Sequence, residues 1–153
     1  MTPVSFILTT TLANFVLMIP IMSILIYFDI TDNEIGGIEI DKHSVYGLFF
    51  LTVILAPIIE TFFGQLLPIK ISEKIFKNKL EIMSIVFSAI LFSLMHFGYS
   101  IWYSLLSIPM GVLLAKTYII FQARKESSFW ITTAVHSLRN LIGVIFIIAE
   151  LNN

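Results

Sequence analysis

The sequence predicts an all-α fold, a polytopic membrane helix bundle of about five transmembrane helices. Three observations predict it. Of 153 residues, 58% are apolar and 12% are charged, against about 25% charged in ordinary soluble domains. The mean hydropathy is +0.95. A disordered chain needs the reverse, low hydrophobicity with high net charge. A soluble globule of this length has too little interior to hide so much apolar surface. The apolar residues also fall in long runs, and a helix needs about 20 residues to cross the hydrocarbon core. These runs lack the alternation of a β-barrel strand. The net charge of −1 gives no basic excess for nucleic acid.

The first run, 4–28, has no basic leader and no small-residue cleavage site after Phe28. It therefore reads as a retained span and not as a signal peptide. The loop at 29–43 is acidic, with Asp29, Asp32, Glu34, Glu39 and Asp41 against Lys42. Gly36-Gly37 marks a turn within it, and His43 reads as a surface residue. The second run is 44–67. The loop at 68–81 is basic, with Lys70, Lys74, Lys77 and Lys79 against Glu73 and Glu81. Its interleaved Ile71, Ile75 and Phe76 suit either a short amphipathic helix at the inner surface or a solvated connector. The third run, 82–97, is short for a span, though Leu80 and Glu81 extend it backwards. An uncharged link leads to the fourth run, 101–121. The loop at 116–128 is basic again, with Lys116, Arg124 and Lys125 against Glu126. The fifth run is 129–151. Positive loops stay cytoplasmic, so both basic loops face inward together. That places the N-terminus inside and the C-terminus outside, and favours five spans over four or six.

The chain has no cysteine, so disulfides, thiolate nucleophiles and Cys-ligated metals are excluded. Its 27 isoleucines against 7 alanines point to an AT-rich bacterial genome.

Ionisable groups at membrane depth are costly and mark functional sites by default. Four qualify: Glu60, His96, His136 and Arg139, with Asn140 beside them as a buried amide. Pro57 precedes Glu60 and should free backbone carbonyls just before the carboxylate. Phe92 and His96 are four apart and share a helix face, as do His136 and Asn140. Three helices thus each bring one polar cluster inward. One mismatch stands out: Glu60 and His136 fall about eight residues from the inner ends of their runs, while His96 falls near the outer end of its own.

The order Glu60-Thr61-x-x-x-Gln65, Phe92-x-x-x-His96, His136-x-x-x-Asn140 resembles the CPBP family. This family comprises the CaaX prenyl proteases and the bacteriocin-processing or immunity proteins, also called Abi proteins. Its motifs are Glu-Glu-x-x-x-Arg, Phe-x-x-x-His and His-x-x-x-Asn. Ala56-Pro57 and Ser128-Phe129-Trp130 are similar flanks. The resemblance divides the chain into an extra N-terminal helix with its acidic external loop, 1–43, and a core at 44–153. It implies an intramembrane endopeptidase whose catalytic positions are Glu60, His96, His136 and Asn140, with Thr61, Gln65, Phe92 and Arg139 in support. Two positions depart from it: Thr61 stands for the second glutamate, and Gln65 for the arginine. Arg139, where an apolar residue is expected, is read as supplying the charge missing at Gln65. Arg139→Gln should then damage folding or activity.

The chemistry follows from the residue types. Glu60, buried in a low dielectric, suits a general base near neutral pH. His96 would hold the water or shuttle its proton. His136 and Asn140 would offer N–H donors to an oxyanion, each such donor being worth about 10²–10³ in rate. No cofactor is expected. The rival is zinc on Glu60, His96 and His136, a His₂Glu set with one open position. Zinc would consume the carboxylate, and Thr61 leaves no second one as base. The expected partners are the lipid bilayer and a peptide, lipoprotein or membrane-protein substrate. The alternatives are a catalytically impaired immunity or scaffold protein that acts by binding, and a small transporter, for which a continuous polar path is missing.

Overall fold

The computed structural model describes residues 1–37, 44–76 and 81–151. Lys42, His43, Lys77, Lys79 and the acidic pair Glu39 and Asp41 lie outside the described residues. Six helices and no strand occur among those described: α1 (Pro3–Tyr27), α2 (Asp32–Ile35), α3 (Val45–Ile75), α4 (Glu81–Met95), α5 (Ile101–Ala123) and α6 (Ser128–Leu151). Four of them (α1, α3, α5 and α6) are long and apolar enough to cross a membrane. The third expected span is α4, and its 15 residues reach about 22 Å, short of a roughly 30 Å hydrocarbon core.

Local chemistry sets the helix starts. Thr2 caps α1 by accepting from the Ser5 amide, and Pro3 begins the helix, where its missing N–H costs nothing. Ser44 and Ser100 cap α3 and α5 through the amides of Gly47 and Tyr103. The short α2 closes a capping box between Thr31 and Glu34. Gly36 and Gly37, at φ 70° and 147°, turn the chain after it, as the paired glycines predict. Ser100 Oγ also donates to Ile35 O at 2.5 Å. The α2 segment is thereby fixed to the turn between α4 and α5.

The basic segment is not a separate surface helix. It continues α3 without a break as far as Ile75. This removes the mismatch in depth. Glu60 lies fifteen residues before Ile75, and His96 lies fifteen residues after Glu81, so both arms of the α3–α4 hairpin rise about 22 Å to the same level.

The bundle buries many polar side chains and turns many large apolar ones outward, unlike a soluble globule. Gln65, Thr61, Ser88 and Thr132 are fully buried, while Leu8, Leu12, Ile90, Leu94 and Phe146 are exposed. Serines stitch neighbouring helices: Ser93 and Ser104 each donate to the other's carbonyl across α4 and α5, at 2.7 and 2.8 Å, and Ser72 donates to Ser84 across α3 and α4 at 2.6 Å. Such hydroxyl bonds and small-residue contacts hold helices together where lipid removes the hydrophobic drive. At Gly111 the backbones come close, since a Cβ there would lie 3.1 Å from the Cα of Ala89. Gly98 faces open space, with nothing within 4 Å of a Cβ built there. The apolar core of Phe92, Met110, Leu114 and Val135 joins α4, α5 and α6, and Ile7 packs on it from α1.

Candidate active site

The site is built on two irregularities in α3. The helix changes to π-helical geometry over Phe50–Leu55 and again over Phe62–Leu66. Each stretch precedes a proline, whose missing N–H removes one helical donor from a backbone carbonyl. The Ala56 amide bonds Leu51 O and not Thr52 O. The next candidate for Thr52 O is residue 57, a proline with no N–H. Thr52 O is taken instead by Asn140 Nδ2 of α6, at 2.9 Å. The carbonyl of Gly64 would bond residue 68 in an α-helix, but that is Pro68. It accepts Ser88 Oγ of α4 at 2.6 Å. Glu60 thus sits between two proline-freed carbonyls, one clamped to α6 and one to α4. Single-turn π stretches of this kind recur at functional sites.

Between the clamps, Glu60 Oε2 lies 3.4 Å from His96 Nε2 and 3.5 Å from His136 Nε2. Three helices therefore converge on one carboxylate oxygen. His96 Nδ1 lies 2.8 Å from Phe92 O. A carbonyl only accepts, so Nδ1 carries the hydrogen. Nε2 then faces Glu60 with a lone pair or, in the imidazolium, with a second hydrogen. The pair is attractive when one proton lies between nitrogen and oxygen, on either atom.

Phe92 explains its own place in the Phe-x-x-x-His spacing. Its ring packs 4.7 Å from the His96 ring and 5.6 Å from the His136 ring, wedging the two imidazoles apart. Its carbonyl fixes the His96 ring orientation. Space for it depends on Gly64, where a Cβ would come within 2.9 Å of the ring.

A pocket of about 120 Å³ opens over this constellation. Glu60, Phe92, His96, His136, Arg139 and Asn140 all line it, so six of the eight sequence-designated residues meet in one cavity. Thr61 and Gln65 do not. Both are fully buried, and their side-chain polar atoms have no hydrogen-bond partner among the described residues. Arg139 does not stand in for the arginine missing at Gln65. The chain runs down α3 and back up α6, so Gln65 lies one to two turns below Glu60 while Arg139 lies one turn above His136. Arg139 lines the pocket instead.

Sequence reasoning missed the aromatic wall. Tyr103 stacks on the His96 ring at 5.6 Å and 20°, and Tyr99 packs on Tyr103 at 5.0 Å. Their four-residue spacing beside His96 was the available signal. It also missed Met18, which brings α1 into the pocket wall. No sequence motif marks it.

An all-α membrane bundle that holds a half-buried carboxylate between two imidazoles under an open pocket defines a class, a polytopic membrane protein with a hydrolase-like site at helix depth. Residues 42–142 match the family described as type II CAAX prenyl endopeptidase Rce1-like, and the chain belongs to it. This is a family of membrane endopeptidases, and it matches the resemblance carried by the three motifs. No curated protein and no solved structure matches the chain.

Proposed function

We propose that the protein is a CaaX-protease-like endopeptidase that hydrolyses a peptide bond inside the membrane, with water activated by Glu60. The observation that carries this reading is the convergence of both imidazole Nε2 atoms on Glu60 Oε2 at 3.4 and 3.5 Å in an open pocket. Glu60, as carboxylate, takes a proton from water while the water oxygen adds to the scissile carbonyl carbon. His96, held by Phe92 O, relays that proton through Nε2. The developing oxyanion meets His136 Nε2–H and the second amide hydrogen of Asn140, the first being committed to Thr52 O. Collapse of the tetrahedral adduct breaks the C–N bond, and the leaving amine receives the relayed proton.

The scheme needs no metal. Among the described residues, Glu60 is the only carboxylate lining the pocket, and Thr61 occupies the place of a second. As a metal ligand Glu60 would leave the water without a base. If zinc were held, Glu60, His96 and His136 would hold it.

Glu60→Gln keeps the shape and removes the base, so turnover should fall by about 10²–10⁴ with the protein still folded. Wild-type rates from Glu60→Gln would overturn the reading. Activity that survives a strong chelator supports the metal-free scheme, and activity restored by zinc sinks it. Thr61 and Gln65 favour a second reading, an immunity or scaffold protein that acts by binding. Persistence of the cellular phenotype in a stably expressed Glu60→Gln protein would establish that reading.

A further inference from the structure

The Tyr103 ring has three neighbours. It stacks on His96 at 5.6 Å and 20°, and Tyr99 packs on it at 5.0 Å. The third is the Gly36-Gly37 turn, since a Cβ on Gly37 would meet the Tyr103 ring at 3.5 Å. At Gly36, with φ 70°, a Cβ would lie 3.2 Å from Tyr99 O, so the turn rests directly on the Tyr99 backbone. Ser100 ties the same parts together through one oxygen. Its Oγ accepts from the Tyr103 amide at 3.0 Å and donates to Ile35 O, just before the turn, at 2.5 Å. Behind that, the Thr31–Glu34 capping box closes α2. Residues 31–37 lie outside the family-matched region 42–142, and none of them lines the pocket. Yet they end on the ring that is stacked against His96.

We propose that α2 and its Gly36-Gly37 turn form a strap that sets the rate of hydrolysis by positioning His96, with Tyr103 as the positioning residue between them. The turn holds Tyr103, and Tyr103 holds the imidazole toward Glu60. This rests on the endopeptidase reading, in which His96 relays the proton. Phe92 O fixes Nδ1 at 2.8 Å, but one hydrogen bond leaves the ring free to rock about it. Nε2 must meanwhile stay beside Glu60 Oε2, 3.4 Å away. The flat stack on Tyr103 opposes that rocking, with the Phe92 ring at 4.7 Å as the second contact. When His96 carries the relayed proton, the cation faces a tyrosine ring within about 6 Å, where the ring quadrupole attracts it. A misplacement of about 1 Å can cost about 10²-fold in rate, so a small shift of the turn reaches the chemistry.

Full-length protein in detergent micelles is labelled at histidine, and its imidazole signals are recorded by NMR. The chain has three histidines, and His96→Gln identifies the His96 signals by their loss. Ring-current shifts report the stack without turnover. Rates are measured on the peptide that wild-type protein cleaves fastest in a quenched-fluorescence library. Tyr103→Leu should move the His96 signals and lower kcat by about 10-fold or more. Tyr103→Phe, which keeps the aromatic face, should recover most of both. Gly36→Ala brings a Cβ to 3.2 Å from Tyr99 O at a positive φ. It should move the same signals part of the way and lower kcat by up to about 10-fold, with KM unchanged because Gly36 does not line the pocket. Glu34→Ala opens the capping box and carries the same expectation if Gly36→Ala fails to fold. His96 signals unmoved by Tyr103→Leu, or by both turn variants, overturn the proposal, as does a Tyr103→Phe protein no better than Tyr103→Leu. The expected shifts with no cleavage by wild-type protein sink the endopeptidase reading alone. Cleavage by wild-type protein that keeps its kcat in Tyr103→Leu and in Gly36→Ala sinks the strap alone.

Discussion

Asn140→Ala withdraws the hydrogen bond that the Thr52 carbonyl accepts from α6, and its cost tests the account of how Pro57 shapes the site. Thr52 is buried at 6% exposure. Its carbonyl has lost its α-helical partner to the π stretch and cannot find a π-helical one at Pro57. A buried acceptor left unmade costs about 1–3 kcal/mol, and interhelical bonds within membranes reach about 1.7 kcal/mol at most. The expected loss is therefore about 1–1.5 kcal/mol, roughly tenfold in the folding equilibrium. In a Pro57→Ala background residue 57 regains an N–H, which can bond Thr52 O from its own helix. There Asn140→Ala should cost less than about 0.5 kcal/mol, leaving a coupling of about 1 kcal/mol between residues that sit on different helices. The assay is reversible unfolding in mixed micelles, followed by the fluorescence of Trp102 and Trp130, with all four members of the cycle measured. The packing cost of Pro57→Ala cancels within the cycle. An Asn140→Ala penalty that is the same in both backgrounds would refute the freed-carbonyl argument.

Three further outcomes are expected. Gly111→Ala forces a Cβ to within 3.1 Å of the Ala89 backbone and 3.2 Å of the Phe92 ring; backbone cannot yield as a flexible side chain does, so stability in the same assay should fall by about 1–3 kcal/mol. Two hydrogen bonds from Thr31 hold the Glu34 carboxyl below its usual value of 4.5. The cap at α2 is thus intact above that value and is lost as pH falls through the lower folded value; the protection of the Thr31 amide against hydrogen exchange should drop there, and Glu34→Gln should remove the pH dependence. With no native cysteine, single-cysteine labelling is unambiguous. By the positive-inside rule, cysteines at Asp32 and at Lys125 should label from opposite faces, Asp32 from outside; Thr2 should label with Lys125, since Arg124 Nη1 reaches Met1 O at 3.4 Å. Labelling of Thr2 and Asp32 from one face would overturn that topology.

The bundle and the Glu60–His96–His136 cluster were legible because lipid allows few ionisable residues at depth, and those it allows stand out in sequence. Pro57 was legible as a source of freed carbonyls, but not the carbonyl it frees. That identity depends on the π register, which is set by tertiary contacts and leaves no periodic mark. The depth of His96 was misjudged for a related reason. Lys70 and Lys74 read as the end of a span, yet lysines can continue an amphipathic helix past the membrane boundary by snorkelling. The added turns carry α3 fifteen residues beyond Glu60, matching the rise of α4 to His96. The role of Arg139 was misread because a missing charge in one motif and an extra charge in another look complementary along the chain. Antiparallel helices instead send Gln65 and Arg139 in opposite directions from the level of the site. The extra charge therefore lines the pocket, and the buried polar atoms of Thr61 and Gln65 belong to a separate layer beneath it.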